Sequence, residues 1–190
     1  MNLILGSQSP SRRLALESTG RDFEVMPANI DEKAIRSDDF RELPLLIARA
    51  KASALITRLS TEAILITADQ VVEYAGELRE EPESSEQARS FLTSYNYDIE
   101  PAQTNSAVVV TNTKTGEQAE GIDIAKTYFR PIPLFVVEEL VKDQSILESA
   151  GAFIIEHPLM KHYIDHIEGT ADSVMGLPLE LTFDLIDQVS

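Results

Sequence analysis

No cysteine occurs anywhere in the 190 residues. Disulfides, thiolate zinc sites and cysteine nucleophiles are therefore excluded. Histidine is scarce, with only His157, His162 and His166, too few for a histidine-rich metal site. Positive charge is scarce too. Lys and Arg number 16 against 32 Asp and Glu, a formal net charge of −16. That balance weighs against broad electrostatic binding to nucleic acid or to anionic membranes. It leaves room for a small anionic ligand held in a locally basic pocket or through a metal ion. No apolar run approaches the roughly 20 residues of a membrane span. The opening MNLILGSQSP has too short an apolar stretch, and no basic segment before it, to read as a signal peptide. The expectation is a soluble, cytoplasmic protein without nucleic-acid or membrane partners.

What is present is a core. Hydrophobic residues make up 43% of the chain, which excludes global disorder. The length suits one domain, 1–190, or two closely packed lobes. There is no internal repeat, low-complexity linker or boundary signal.

Leu3 to Leu5 reads as a buried strand. Gly6-Ser7-Gln8 then leads to Ser9 and Pro10, an N-cap and first-turn pair that opens a helix to about Thr19, with Gly20 ending it. Phe23 to Met26 reads as a second strand. Leu43 to Leu59 reads as a long helix with Leu43, Leu46, Ile47, Ala50 and Ala54 on one face. Ala63 to Val72 is a nearly continuous apolar run, a strand buried on both faces, and a hairpin turn follows at Tyr74-Ala75-Gly76-Glu77. Ser84 and Gln87 form a capping box for another helix. A hairpin is expected around Lys114-Thr115-Gly116, a helix from Pro133 to Val141, a short strand from Ala152 to Ile155, and a final amphipathic helix from Leu179 to Val189.

Some of these residues bear chemistry. Ser7, Ser9, Arg12 and Arg13 sit at a strand-to-helix turn, where free N–H groups and the helix dipole attract phosphate. Two arginines in the first turn oppose that dipole, a cost that a bound anion would offset. The alternative is that both lie on a solvated helix face. Lys51 borders the apolar face of the long helix. It either snorkels to solvent or directs a point charge at phosphate. Asp69 lies near the end of AILITADQVV, where a buried acid is costly unless paired or metal-bound. It either caps the hairpin turn or serves catalysis or metal binding. Asp31 and Glu32 lie in a loop and offer further oxygens suited to a hard cation. Glu156 is either a base-edge acceptor or ordinary surface. Gly169 and the segment 173–178 read as backbone-driven turns.

The segments LILGSQSPSRR, FEVMPANIDE, ARAKASA, ITADQVV, SAGAFIIE and IEGTADSVMGLP occur in this order over nearly the whole chain. Together they resemble the Maf family of nucleotide pyrophosphatases. The resemblance implies an α/β fold, a mixed twisted sheet with flanking helices in two lobes around a deep cleft. It implies cleavage of a nucleoside triphosphate to monophosphate and pyrophosphate with Mg²⁺ or Mn²⁺, and a homodimer. By position, Ser7, Arg12 and Arg13 would hold phosphates and Lys51 would contact the triphosphate. Glu32 and Asp69 would bind metal, with Asp69 as proton acceptor for the attacking water. Ser11, Gln70 and Glu156 resemble the subgroup acting on 7-methyl-GTP, where the dTTP type carries arginine, threonine and glutamine.

Two segments depart from the family pattern. Glu81 stands before Pro82 where the family has lysine. The stretch 96–100, Asn-Tyr-Asp-Ile-Glu, lacks the family's Ser-Gly-x-x-His. These departures leave open a homologue that binds nucleotide or a protein partner without turnover.

Overall fold

The computed structural model describes residues 1–96 and 98–190; Tyr97, in the stretch that departs from the family pattern, lies outside them. The chain opens on β1 (Asn2–Leu5) and α1 (Pro10–Glu17), then β2 (Glu24–Val25), α2 (Glu42–Ile56) and β3 (Ala63–Tyr74). It continues through β4 (Glu77–Arg79), α3 (Ser85–Ser94), β5 (Ala102–Asn112) and β6 (Gln118–Phe129). After α4 (Leu134–Leu140) and α5 (Gln144–Leu147) come β7 (Ile164–Glu168), α6 (Ala171–Val174) and α7 (Leu179–Val189). The strands form one seven-stranded sheet in the order β2-β1-β3-β5-β6-β7, with β4 paired to β3. β1 runs parallel to β2 and β3, whereas the β3–β4 and β6–β7 pairs are antiparallel. The mixed α/β class expected from the sequence is the class observed.

Local chemistry explains several boundaries. The Ser9 hydroxyl accepts from the Arg12 N–H and Pro10 occupies the first turn of α1. The Ser84 hydroxyl accepts from the Gln87 N–H to start α3. Ala75 and Gly76 turn the β3–β4 hairpin in left-handed conformation.

Contacts divide the chain into two compact units. The first comprises Met1–Gln70, Asn105–Asp123 and Met175–Ser190. Its core gathers Leu5 and Leu16 with Ile64, Ile66, Val108 and Val110, and Leu185 and Val189 of α7 cover it. Side chains of this kind each contribute roughly 1.5–3 kcal/mol on full burial. The second comprises Val71–Thr104 and Ile124–Val174. Its centre is aromatic: Tyr95 stacks on Phe129 at 4.9 Å and meets Tyr74 and Phe153 edge-on. The Arg79 guanidinium lies 4.5 Å over the Tyr74 ring.

Three readings are corrected. Ala152 to Ile155 is not a strand. Ala152 closes a short 3-10 turn in left-handed conformation (φ 58°), and although Phe153 after it is extended, Ile155 already lies in the next turn. The buried face of α2 is Leu43, Ile47, Lys51 and Leu55 with Pro44, Ala48 and Ala52; Leu46, Ala50 and Ala54 are only half-buried. β7, which the sequence reading passes over, carries Asp165, His166 and Glu168 and shows no apolar alternation.

Candidate functional site

The first unit brings several sequence-predicted residues together. β1 leads directly into Gly6, whose loop passes tightly over its neighbours. A Cβ on Gly6 would lie 2.6 Å from Leu55 Cδ1 and 2.7 Å from Thr67 Cγ2. The loop then places Ser7, whose hydroxyl accepts from the Ser9 N–H and from Arg12 Nη1. Arg12 is buried and folded inward. Its Nε donates to the Gly176 carbonyl at 3.1 Å and its Nη1 to the Ala68 carbonyl at 2.9 Å. Its Nη2 stands 3.9 Å from Asp69 Oδ1.

Lys51 meets the same carboxylate from α2. Its Nζ donates to Asp69 Oδ1 at 2.8 Å and lies 2.9 Å from Glu32 Oε2. The Lys51 and Asp69 side chains are 8% and 10% exposed, while Glu32 is 45% exposed at the start of a short 3-10 turn. Lys51 therefore does not snorkel; its ammonium is held at the centre of the buried face of α2. Asp69 is not a hairpin cap either, because it lies within β3, well before the turn at 74–77. Burial pushes the Asp69 carboxyl above the ordinary aspartate range, and the Glu32 charge adds to that. The Lys51 and Arg12 cations pull it back.

Other expected residues lie differently. Arg13 is exposed and pairs with Glu17 one turn along α1, Nε to Oε1 2.7 Å. The adjacent arginines are thus separated: one is built into the interior, the other lies on the solvated face. Ser11 is half-buried in the first turn of α1. Gln70 follows Asp69 with its Oε1 buried and unpartnered. That oxygen lies against Gly176, where a Cβ would come within 1.4 Å of it. Glu156 is exposed in the turn after Phe153, in the second unit, and Glu81 is exposed there too.

Two participants escaped the sequence reading: the Ala68 and Gly176 carbonyls. Ala68 O accepts from both Arg12 and Lys51. Backbone acceptors carry no residue signature, although the glycine of SVMGLP marks the second.

Chemically, the cluster sets two carboxylates against two cations in a largely dry setting. Such an arrangement holds a basic oxygen beside movable positive charge, as attack on an anionic phosphorus centre requires. Among the described residues no group of three or more His, Asp or Glu side chains is disposed to hold a metal. Asp69 and Glu32 offer two carboxylates near one another through Lys51, and an all-oxygen pair of that kind could hold a hard cation such as Mg²⁺ or Mn²⁺ that takes its remaining ligands from phosphate and water.

The β1–loop–α1 unit of this mixed α/β fold thus stands beside a lysine that bridges one buried and one half-exposed carboxylate. The family model described as "Maf-like protein" matches residues 2–189, and the chain belongs to that family. It is 42% identical to a 7-methyl-GTP pyrophosphatase of Dictyostelium discoideum, over 99% of this chain and 97% of that one. It is 32% identical to a dTTP/UTP pyrophosphatase of Pyrococcus furiosus, over 97% and 94%. A nucleoside triphosphate pyrophosphatase of Salinispora tropica is 29% identical over the whole chain and 84% of its own. Among the described residues, no helix is long and apolar enough to cross a membrane.

Proposed function

We infer that this chain hydrolyses a nucleoside triphosphate to its monophosphate and pyrophosphate, with a 7-methyl-GTP-like nucleotide as substrate. The observation that carries the reading is the buried contact of Asp69 with Lys51, within reach of Glu32 and Arg12. The relatives' names agree with it.

Asp69, its basicity raised by burial, accepts the proton of a water that attacks a phosphoryl centre. Lys51 has a flexible stem and a compact charge, and it offsets negative charge developing on the transferred group. Arg12, with its donors committed to Ser7, Ala68 and Gly176, holds the β1–α1 loop and the 176 turn in place around Asp69. Arg13 lies free enough of the interior to reach outward to phosphate oxygens by giving up its exposed pair with Glu17. Glu32 and Asp69 would hold a Mg²⁺ or Mn²⁺, which when bound supplies charge neutralisation for the polyphosphate. Ser7 completes the phosphate side, and Ser11, Gln70 and Glu156 set the base preference. The same reading takes the enzyme as a cytoplasmic homodimer.

The test is a pyrophosphate-release screen over 7-methyl-GTP, GTP, dTTP and UTP, with and without Mg²⁺ and Mn²⁺. Metal-dependent release, fastest from 7-methyl-GTP, is expected. Absence of release from every nucleotide, with retained nucleotide binding, would establish the second reading, a binding module without turnover. Glu81, a carboxylate in place of the family's lysine, favours that reading.

A further inference from the structure

In the arrangement described, Lys51 Nζ lies 2.8 Å from one carboxylate oxygen and 2.9 Å from the other, so it bridges Asp69 and Glu32. A hard divalent cation would need those same oxygens at roughly 2.0–2.1 Å. An ammonium and a divalent ion compete for those two oxygens, because their charges repel at such short range beside the buried Asp69. The local charge also closes without metal. Asp69 and Glu32 supply two negative charges, and Lys51 and Arg12 two positive ones. A divalent ion added alone would leave the cluster with an excess of positive charge. A divalent ion added with a polyphosphate would not, since the phosphates supply the missing anions and also a new partner for Lys51. The lysine stem is flexible enough to carry its charge a short distance from carboxylate to phosphate.

We propose that Lys51 is a built-in counter-cation that keeps Glu32 and Asp69 closed to divalent metal until a nucleotide's phosphates draw its ammonium away. Metal and triphosphate then bind as coupled ligands. Coupling of this kind is reciprocal: whatever factor the nucleotide adds to metal affinity, the metal adds to nucleotide affinity. The inference rests on the assignment of Glu32 and Asp69 as the metal-binding pair.

The test is Mn²⁺ binding to the full chain, read by the electron paramagnetic resonance signal of free Mn²⁺. It is run with and without a triphosphate analogue carrying a non-hydrolysable α,β bridge, each against the same mixture without protein, because the analogue itself takes up Mn²⁺. Wild type should bind Mn²⁺ weakly alone and at least about tenfold more tightly with the analogue, within the usual range of coupling. Lys51→Met should bind Mn²⁺ alone at least about tenfold more tightly than wild type, and the analogue, which still offers phosphate oxygens to the metal, should add a smaller factor than it adds to wild type. Lys51→Arg keeps the charge and should bind Mn²⁺ alone no more tightly than wild type. It also serves should the Met variant fail to fold, and tighter binding by it would count against the gate. Equal Mn²⁺ affinity for wild type and Lys51→Met, with Glu32→Gln abolishing binding in both, would overturn the gate and leave the metal pair standing. Mn²⁺ binding unaffected by Glu32→Gln and Asp69→Asn would overturn the metal pair and the gate with it.

Discussion

Lys51 and Asp69 meet Nζ to Oδ1 at 2.8 Å, one projecting from α2 and the other from β3, with both side chains almost wholly buried. Each charge offsets much of the cost of burying the other, so the two residues are coupled and their substitutions will not be additive.

Asp69→Asn should cut pyrophosphate release by about 10²-fold or more, the usual scale for losing a general base. The amide is close to isosteric, and Lys51 retains Glu32 and the Ala68 carbonyl as partners. The variant should therefore stay folded by circular dichroism. A folded Asp69→Asn protein that turns over at the wild-type rate would remove Asp69 from the mechanism.

The acid side of the pH profile follows from burial. Asp69 works as a base only when ionised, and burial raises its pKa. The acidic limb of kcat/KM should thus fall above the ordinary aspartate value of about 4. Lys51→Met removes an attraction for the ionised form and should move the limb higher. Stability runs the other way. A carboxyl whose pKa is raised by folding contributes fully below its unfolded pKa, and the contribution is lost as pH rises through the folded pKa. Between pH 4 and 7, denaturant unfolding should show Asp69→Asn losing less stability, or gaining more, than wild type. Parallel changes in the two proteins would mean the carboxyl titrates as it does unfolded.

The paired arginines should separate by assay. Arg12→Ala leaves the Gly176 and Ala68 carbonyls and the Ser7 hydroxyl without their guanidinium donor. A loss of about 3 kcal/mol is expected in chemical denaturation. Arg13→Ala removes only an exposed i,i+4 pair, worth about 0.5 kcal/mol or less. Its effect should be confined to KM for the triphosphate. A stability loss for Arg13→Ala as large as that for Arg12→Ala would contradict this division.

Legibility in the sequence followed chemistry that is local. The Ser9–Pro10 start of α1, the Ser84 cap, the turn at 74–77 and α7 were all readable because each depends on a few consecutive residues. The fate of Arg12 and Arg13 was not readable. Both occupy the same first turn, and only the distant Ala68 and Gly176 carbonyls determine which one turns inward. The same holds for Lys51. Helical periodicity placed it beside the apolar face, but Glu32 and Asp69, brought from elsewhere in the chain, moved the buried face onto it. The segment 152–155 misled because an apolar run says that a segment is buried, not that it is extended.

Gly176 and Gln70 compete for the same space. Its φ is +86° and a Cβ would meet Gln70 Oε1 at 1.4 Å. Gly176→Ala should cost about 1–3 kcal/mol from backbone strain, plus whatever is needed to displace Gln70. Gln70→Ala combined with Gly176→Ala should recover the clash but not the strain. The double variant should therefore unfold at higher denaturant than Gly176→Ala alone, and still below Gln70→Ala. Strictly additive losses would show that the two side chains do not compete for that space.

Base preference turns on charge. 7-Methylguanine carries delocalised positive charge and presents two adjacent donors, N1–H and the exocyclic amine. A carboxylate accepts both and complements the charge. Glutamine offers one donor and one acceptor, which suits thymine or uracil. Glu156 is an exposed carboxylate, available to a ligand rather than committed to the core. Wild type should therefore show its highest kcat/KM with 7-methyl-GTP. Glu156→Gln should erode that preference by about 1.5–3 kcal/mol, the scale of a hydrogen bond to a charged group. The stability of the variant should be unchanged, because an exposed side chain in a turn supports little packing. Ser11 and Gln70 are expected to shape the same preference, so a single substitution should reduce selectivity without inverting it. A wild-type preference for dTTP or UTP, or a ratio of 7-methyl-GTP to dTTP untouched by Glu156→Gln, would remove Glu156 as the determinant and leave the catalytic role of Asp69 intact.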